Sequence, residues 1–189
     1  MNDTLLIGLT SWIINDGNYG DFRRGDRASF ALEVNAPTTL SLAEEDRAQA
    51  PSLENVEGNL YRVLGNVTHV FSDWWVINAG LLLYRQRRPP PGVEPGCWVK
   101  GQIQIGVDPF DYSQRFSRQP DAPALIYNWE VKKIEIQTAP YIEVSPRTMA
   151  RDTSQRGWRE IEQTRAAQDD RGMAEYLLHC ERLDNPPRR

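Results

Sequence analysis

The stretch 96-GCWVKGQIQIGVDPFDY-112 alternates apolar and polar side chains before it reaches a Pro-Phe pair between two aspartates. Its odd-numbered positions are apolar or glycine, namely Cys97, Val99, Gly101, Ile103, Ile105 and Val107, and the opposite parity carries Trp98, Lys100, Gln102 and Gln104. Successive side chains of a strand point to opposite faces. The alternation therefore predicts a strand whose odd-numbered side chains lie in a core, with a bend at Gly101, because glycine inside a strand often marks one.

The end of this stretch predicts a turn. Asp108 precedes Pro109, which favours an extended backbone, and Asp-Pro pairs open turns because the carboxylate accepts nearby backbone N–H groups. The alternative is a reactive pair in which Asp108 and Asp111 act as general acid and base or bind a hard cation. No histidine or third acidic residue stands beside them in the sequence to complete either arrangement. We interpret the segment as a turn.

The segment upstream, residues 60–86, predicts a hairpin. Two apolar runs rich in β-branched and aromatic residues flank Ser72-Asp73, a pair typical of tight turns. A two-residue turn there places Phe71 opposite Trp74 and His69 opposite Val76. The proline-rich segment that follows, 87–96, lacks the PxxP spacing of adaptor-domain ligands and predicts a stiff surface loop.

Two further segments alternate as strands do. In 27–35, Ala28, Phe30, Leu32 and Val34 share one face, and Arg27, Ser29, Ala31 and Glu33 share the other. In 124–137 the apolar parity changes at Lys132-Lys133. One extra residue reverses the face of each side chain after it, so a β-bulge at this place keeps both apolar sets buried.

The remaining segments predict one more strand and two helical regions. The apolar residues of 4–14 favour a first strand that ends at a turn, and Ser41 with Glu44 matches a capping box for a short helix. Residues 154–183 predict two short helices or one helix bent near Gly172, because apolar residues recur at three- and four-residue intervals. The recurring residues are Met173, Tyr176, Leu177, Cys180 and Leu183.

Together these elements predict a mainly β fold: a small curved antiparallel sheet or a partly open, OB-like β-barrel with a C-terminal helical segment. Residues 1–146 form the barrel-like domain in this interpretation. Residues 147–189 form a helical appendage that packs on the barrel or on a partner.

Composition narrows the class of protein. The chain has 189 residues, of which 40% are hydrophobic and 25% charged, which is typical of a soluble globular protein with one core. Cys97 and Cys180 belong to no metal or redox motif, so we expect no metal and no cofactor. The longest apolar run, 74–84, is about half of a membrane helix, and the start lacks the basic region of a secretory signal. We therefore expect a cytoplasmic protein without membrane contact.

A candidate binding surface comes from aromatic residues beside arginines. Trp98 lies on the parity opposite the inferred core, and Phe110, Tyr112 and Arg115 follow at the end of the same strand. Exposed aromatic rings beside arginines are used by protein partners as anchors and by single-stranded nucleic acid for stacking. The alternative is that the C-terminal helix covers Trp98.

Three functions remain open from the sequence. The first is a non-catalytic binding or assembly module that binds an unknown protein or self-associates through the C-terminal helix. The second is an OB-like binder of single-stranded nucleic acid, which the net charge of -4 disfavours. The third is a hydrolase that uses a carboxylate such as Asp108, Asp111 or Glu130, and it requires a perturbed carboxyl group inside a concave cleft. The absence of common catalytic motifs makes an enzyme the less favoured interpretation.

Overall fold

Strands dominate the structure, a computed structural model that describes residues 4–36, 40–43, 45, 49–155 and 157–189. The strands are β1 Leu5–Thr10, β2 Arg27–Phe30, β3 Leu32–Asn35, β4 Ser41–Leu42, β5 Ser52–Glu57, β6 Leu60–Val70, β7 Trp75–Asn78, β8 Leu82–Arg85, β9 Trp98–Val107, β10 Tyr127–Gln137, β11 Tyr141–Ser145, β12 Thr148–Arg151, β13 Trp158–Ile161 and β14 Glu175–Arg182. The helical segments are α1 Ser11–Asn15, α2 Asp111–Gln114, and 3-10 turns at Phe116–Arg118, Thr153–Gln155 and Asp169–Gly172. In the described ranges, no helix has the length and apolar character that crossing a membrane requires.

A closed barrel of five strands forms the centre of the fold. β9 pairs antiparallel with β3 and with β6, and β6 continues the ring through β7 to β8. β8 closes the ring by pairing in parallel with β3. The architecture is mainly β, as the sequence predicts, and it is consistent with an OB-like barrel.

The strand β9 has the register that its sequence predicts. Val99, Ile103, Ile105 and Val107 are at most 1% exposed and belong to the main core. Their polar neighbours of opposite parity lie on the outside of the barrel. The hairpin is also confirmed, because His69 pairs with Val76 and the Phe71 amide donates to the Trp74 carbonyl at 2.9 Å.

Gly65 lets the long strand β6 pass close to β7. An added Cβ at this position would lie 2.6 Å from the Asn78 carbonyl oxygen and 2.7 Å from a methyl group of Ile77. Because β6 pairs with β7 on one side and β9 on the other, it must curve strongly to serve both. A side chain at position 65 is incompatible with that approach.

A second set of strands packs beside the barrel. β14 pairs along β10 and β1, β10 also pairs with β2 and β13, and β1 reaches β9 through Gly8 and Gly106. The bulge in β10 is confirmed, since the register with β14 shifts between Val131 and Lys133. β2 and β3 are separated by Ala31 alone, so the predicted strand 27–35 crosses from one set of strands to the other.

The predicted C-terminal helix over 154–183 is wrong. This region contains β13, a 3-10 turn and β14. Tyr176, Leu177, Leu178 and Cys180 are all at most 2% exposed, because β14 lies inside the sheet with apolar contacts on both faces. A short run buried on both faces does not alternate, and its spacing can imitate a helix.

Several local expectations change with this correction. In place of a helical appendage, residues 147–189 supply β13 and β14 to the main sheet and β12 to a separate two-stranded sheet with β11. Neither self-association through that helix nor the cover it was expected to give Trp98 therefore has a structural basis. The first strand, predicted over residues 4–14, ends at Thr10, and the helix α1 follows it. Ser41 lies in β4, so no helix starts there, and Glu44 of the predicted capping box lies outside the described residues.

Candidate functional site

The sequence-predicted aromatic residues do not form one exposed surface. Tyr112 is completely buried in a second core cluster on the outside of the barrel. The segment between β9 and β10, residues 108–126, covers the outer face of β7 and β8, where its residues pack against Trp74 and Tyr84. We call it the covering segment. Trp74 stacks on Phe116 with ring centroids 4.8 Å apart, and its indole N–H donates to Gln119 at 2.9 Å.

The other three predicted residues lie apart from one another. Trp98 begins β9 and is partly buried. Phe110 follows the opposite end of that strand, and its ring centroid lies 5.1 Å from that of Tyr19. Arg115 forms an ion pair with Asp73 and lies over the ring of Phe116. The structure therefore brings Tyr112 and Arg115 into the cover of the barrel and leaves Trp98 at its other end.

Asp108 is structural, as the turn interpretation predicts. Its carboxylate accepts hydrogen bonds from the Tyr84 hydroxyl at 2.6 Å and from the Tyr112 amide at 3.1 Å. Burial raises its pKa, although these two bonds oppose the shift. The residue is 1% exposed, and its two hydrogen bonds hold the covering segment against β8.

A cleft of about 300 Å³ opens beside β1, β3 and β9. Glu33 pairs with Gly106, and Gly106 pairs with Gly8 of β1, so these three residues lie side by side on the outer face of the barrel. Gly106 has no side chain, which leaves space above the sheet, whereas a neighbouring side-chain amide already fills the position above Gly8. Gln104 lies opposite Asn35 one step along the same face. We call this space the Glu33 cleft.

The carboxyl group of Glu33 is the most perturbed acid in the cleft. Burial raises its pKa to about 7, and the charges of Asp108 and Asp111 add to the shift. In the part of the chain that the structure describes, Glu33 has no hydrogen-bond donor or cation as partner. An unpaired carboxyl group with such a pKa is available to a ligand or to a proton-transfer reaction.

The walls of the Glu33 cleft are aromatic and amide side chains. Trp12 of α1 is 54% exposed and lies on one side, and Trp158 of β13 also lines the space. Asn59 lies at the rim, where its amide donates to the Ile105 carbonyl at 3.0 Å. Glu175 is a second carboxylate of the lining, and it accepts a hydrogen bond from Arg151 at 3.1 Å. None of the described lining residues is Lys or Arg.

Neither a metal site nor a known relative explains the cleft. Among the described residues, no group of three or more His, Cys, Asp or Glu side chains is placed to hold a metal ion. Glu130, another carboxylate singled out from the sequence, forms an ion pair with Lys132 at 2.8 Å and does not line the cleft. Comparison with protein-family models, curated proteins and solved structures finds no match.

Sequence reasoning placed Glu33 on the outer face of its strand but did not identify it as functional. The cleft depends on Gly8 and Gly106 meeting beside it, and residues so distant in the chain show no local pattern. One signal was present: Gly106 interrupts the polar parity of β9 after Gln104. A glycine inside a strand indicates close approach or open space.

We expect the substitution Asp108→Asn to lower the pKa of Glu33 from about 7, because the charge of Asp108 contributes to the raised value. The fold should survive, since an asparagine side-chain oxygen can still accept from Tyr84 and Tyr112. Carbon-13 NMR titration of the Glu33 carboxyl measures the shift. The control is Asp121→Asn, which changes an exposed carboxylate and should leave the pKa of Glu33 unaltered. An unaltered Glu33 pKa in Asp108→Asn would contradict the contribution of the Asp108 charge.

Proposed function

We propose that this protein is a non-catalytic binding module whose Glu33 cleft receives a positively charged organic group. The group is an ammonium or guanidinium, carried by a small amine or by a Lys or Arg side chain of a protein partner. The observation that carries the proposal is Glu33 itself, a desolvated carboxyl group with a pKa of about 7 and no cationic partner among the described residues.

Electrostatics supports a cation. The raised pKa of Glu33 reflects burial first and then the charges of Asp108 and Asp111, so the site has an uncompensated negative potential. A bound cation would pair with Glu33 and offset the desolvation of its carboxylate. An anionic ligand would meet repulsion from the same groups.

The shape and the walls of the cleft also suit a small cationic group. A volume of about 300 Å³ is at the lower end of ligand pockets and fits the end of one long side chain. The exposed Trp12 offers an indole face, which attracts cations through its ring quadrupole. The side-chain carbonyls of Asn35 and Gln104 can accept hydrogen bonds from an ammonium or guanidinium.

Binding of paired probes tests the proposal. We expect butylammonium and Nα-acetyl-lysine N-methylamide to bind at pH 8, where Glu33 is ionised, and the norleucine analogue without the ammonium not to bind. Glu33→Gln should weaken binding at least about tenfold, the effect of losing a charged hydrogen bond. NMR chemical-shift titration of the wild type and the variant measures both affinities.

The controls separate a specific site from general attraction. Glu54→Gln removes an exposed carboxylate that pairs with Arg62 at 3.1 Å and should leave binding unchanged. Tighter binding of the lysine derivative than of butylammonium favours a protein partner as the source of the cation. Equal binding of the norleucine analogue, or equal affinity in Glu33→Gln, would contradict a cation site.

A second candidate is a carboxylate-dependent hydrolase, favoured by the same pKa. A carboxyl group that titrates near pH 7 is matched to general acid–base catalysis at neutral pH. Glu175 is the other carboxylate of the cleft, but Arg151 holds it. Screening chromogenic esters, amides and glycosides tests this candidate: activity that rises through pH 7 and disappears in Glu33→Gln supports it over simple binding.

Single-stranded nucleic acid is a weaker proposal. OB-like barrels commonly present one outer face and its loops to oligonucleotides. Here the aromatic residues on the outside of β7 and β8 pack beneath the covering segment, and Trp74 and Tyr84 are completely buried.

The cytoplasmic location expected from the sequence stays a prediction.

A further inference from the structure

Arg85 is a largely buried cation that has no anionic partner among the described residues. It ends β8, and its side chain is 8% exposed. Within the described part of the chain, no carboxylate pairs with its guanidinium and no side chain or carbonyl accepts a hydrogen bond from it. Its contact is the ring of Trp75, whose centroid lies 6.0 Å from the guanidinium carbon. The guanidinium nitrogens keep some contact with solvent, because they are not among the fully buried atoms that lack a partner, so a dissolved anion can reach them.

Trp75 has the second unsatisfied donor. Its indole nitrogen is buried and makes no hydrogen bond to any residue that the structure describes. Trp75 and Arg85 are direct partners in the pairing of β7 with β8, so their side chains share one face. That face is the barrel interior, because the next pair on it, Ile77 and Leu83, belongs to the main core.

The surrounding charge is positive. Burial lowers the pKa of Arg85, and the neighbouring charge of Arg87 lowers it further. Arg88 follows directly in the chain. This end of the barrel therefore holds hydrogen-bond donors without an acceptor among the described residues. They are the guanidinium groups of Arg85 and Arg87 and the indole N–H of Trp75.

We propose that this end of the barrel binds a phosphate group between Arg85 and Trp75. The planar guanidinium donates two parallel hydrogen bonds to phosphate oxygens, and the indole N–H donates to a third oxygen. Arg87 adds a second positive charge, which favours a dianionic phosphate over a carboxylate. The site is separate from the Glu33 cleft, whose acidic lining repels anions.

Titration with inorganic phosphate, followed by the indole N–H resonances in nitrogen-15 NMR spectra, tests the proposal. We expect saturable movement of the Trp75 resonance, assigned in the wild-type protein, and no comparable movement with acetate or chloride at equal ionic strength. Glycerol 3-phosphate distinguishes the sources: tighter binding than that of inorganic phosphate indicates a phosphorylated metabolite, and weaker binding indicates free phosphate.

Variants identify the residues that bind. Arg85→Met keeps the length of the side chain and should weaken phosphate binding at least about tenfold, the effect of losing charged hydrogen bonds. Arg115→Met removes an arginine that pairs with Asp73 elsewhere and should have no effect. If Arg85→Met does not fold, the wild-type titration decides. A stationary Trp75 resonance, or the same shift with acetate, would overturn the proposal.

Discussion

Gly65→Ala should destabilise the protein by about 3 kcal/mol, the upper part of the range for overpacked positions. The new Cβ would lie 2.6 Å from the Asn78 carbonyl oxygen. That oxygen is backbone within the paired strands β6 and β7, so it cannot rotate away as the end of a side chain can. The barrel must open locally to admit the methyl group. The shift of the urea unfolding midpoint, at unchanged slope, measures the loss.

Gly106→Ala is the matched control for this effect. It is also a strand glycine of the barrel, but an added Cβ would meet its nearest neighbour, the Gly8 carbonyl oxygen, at an ordinary 3.5 Å. We expect a change of less than about 1 kcal/mol there, because no packed atom has to move. Equal destabilisation by the two substitutions would contradict crowding against β7 as the cause of the loss at position 65, because removal of a glycine by itself favours the folded state.

Glu33→Gln should stabilise the protein by about 2–3 kcal/mol at pH 8 and have almost no effect at pH 4. The folded state raises the pKa of Glu33 from 4.5 to about 7, so ionisation of this group opposes folding. Below pH 4.5 Glu33 is protonated in both the folded and the unfolded state, so its ionisation costs no stability. The free-energy cost grows as the pH rises from 4.5 to 7 and reaches its full size above pH 7. The neutral amide avoids it at every pH.

Urea unfolding of wild type and variant at several pH values measures this difference. Glu54→Gln is the control, since its exposed carboxylate pairs with Arg62 on the surface. A stability difference that does not depend on pH would contradict the raised pKa. A variant that is more stable yet no longer binds cations would show that Glu33 is kept for function at the expense of stability, which is common at functional sites.

Local patterns were sufficient to predict much of the barrel. The parity of Val99 and Ile103, the hairpin at Ser72-Asp73 and the bulge near Lys133 all follow from side chains that alternate within a few residues. Such patterns report which face of a strand is buried, and burial on one face is a property of nearby sequence.

Long-range pairing set the limit of prediction. The sequence of β14 predicts a helix because its residues are buried on both faces and so do not alternate. The strands that pair with its two edges, β1 and β10, come from distant parts of the chain. The Glu33 cleft was missed for the same reason, since its floor combines residues of β1, β3 and β9. Tyr112 was expected on the surface, but the covering segment turns it inward through the contact of Asp108 with Tyr84.

The pairing of β1 with β14 has a consequence for how this chain acquires its structure. Leu5 lies opposite Cys180, so one of the central ladders joins segments separated by almost the whole sequence. Closing so large a loop costs entropy before any contact compensates for it, and proteins rich in such contacts fold slowly. Until β14 arrives, both β1 and β10 present open edges. Refolding should therefore be slow and prone to aggregation at high protein concentration.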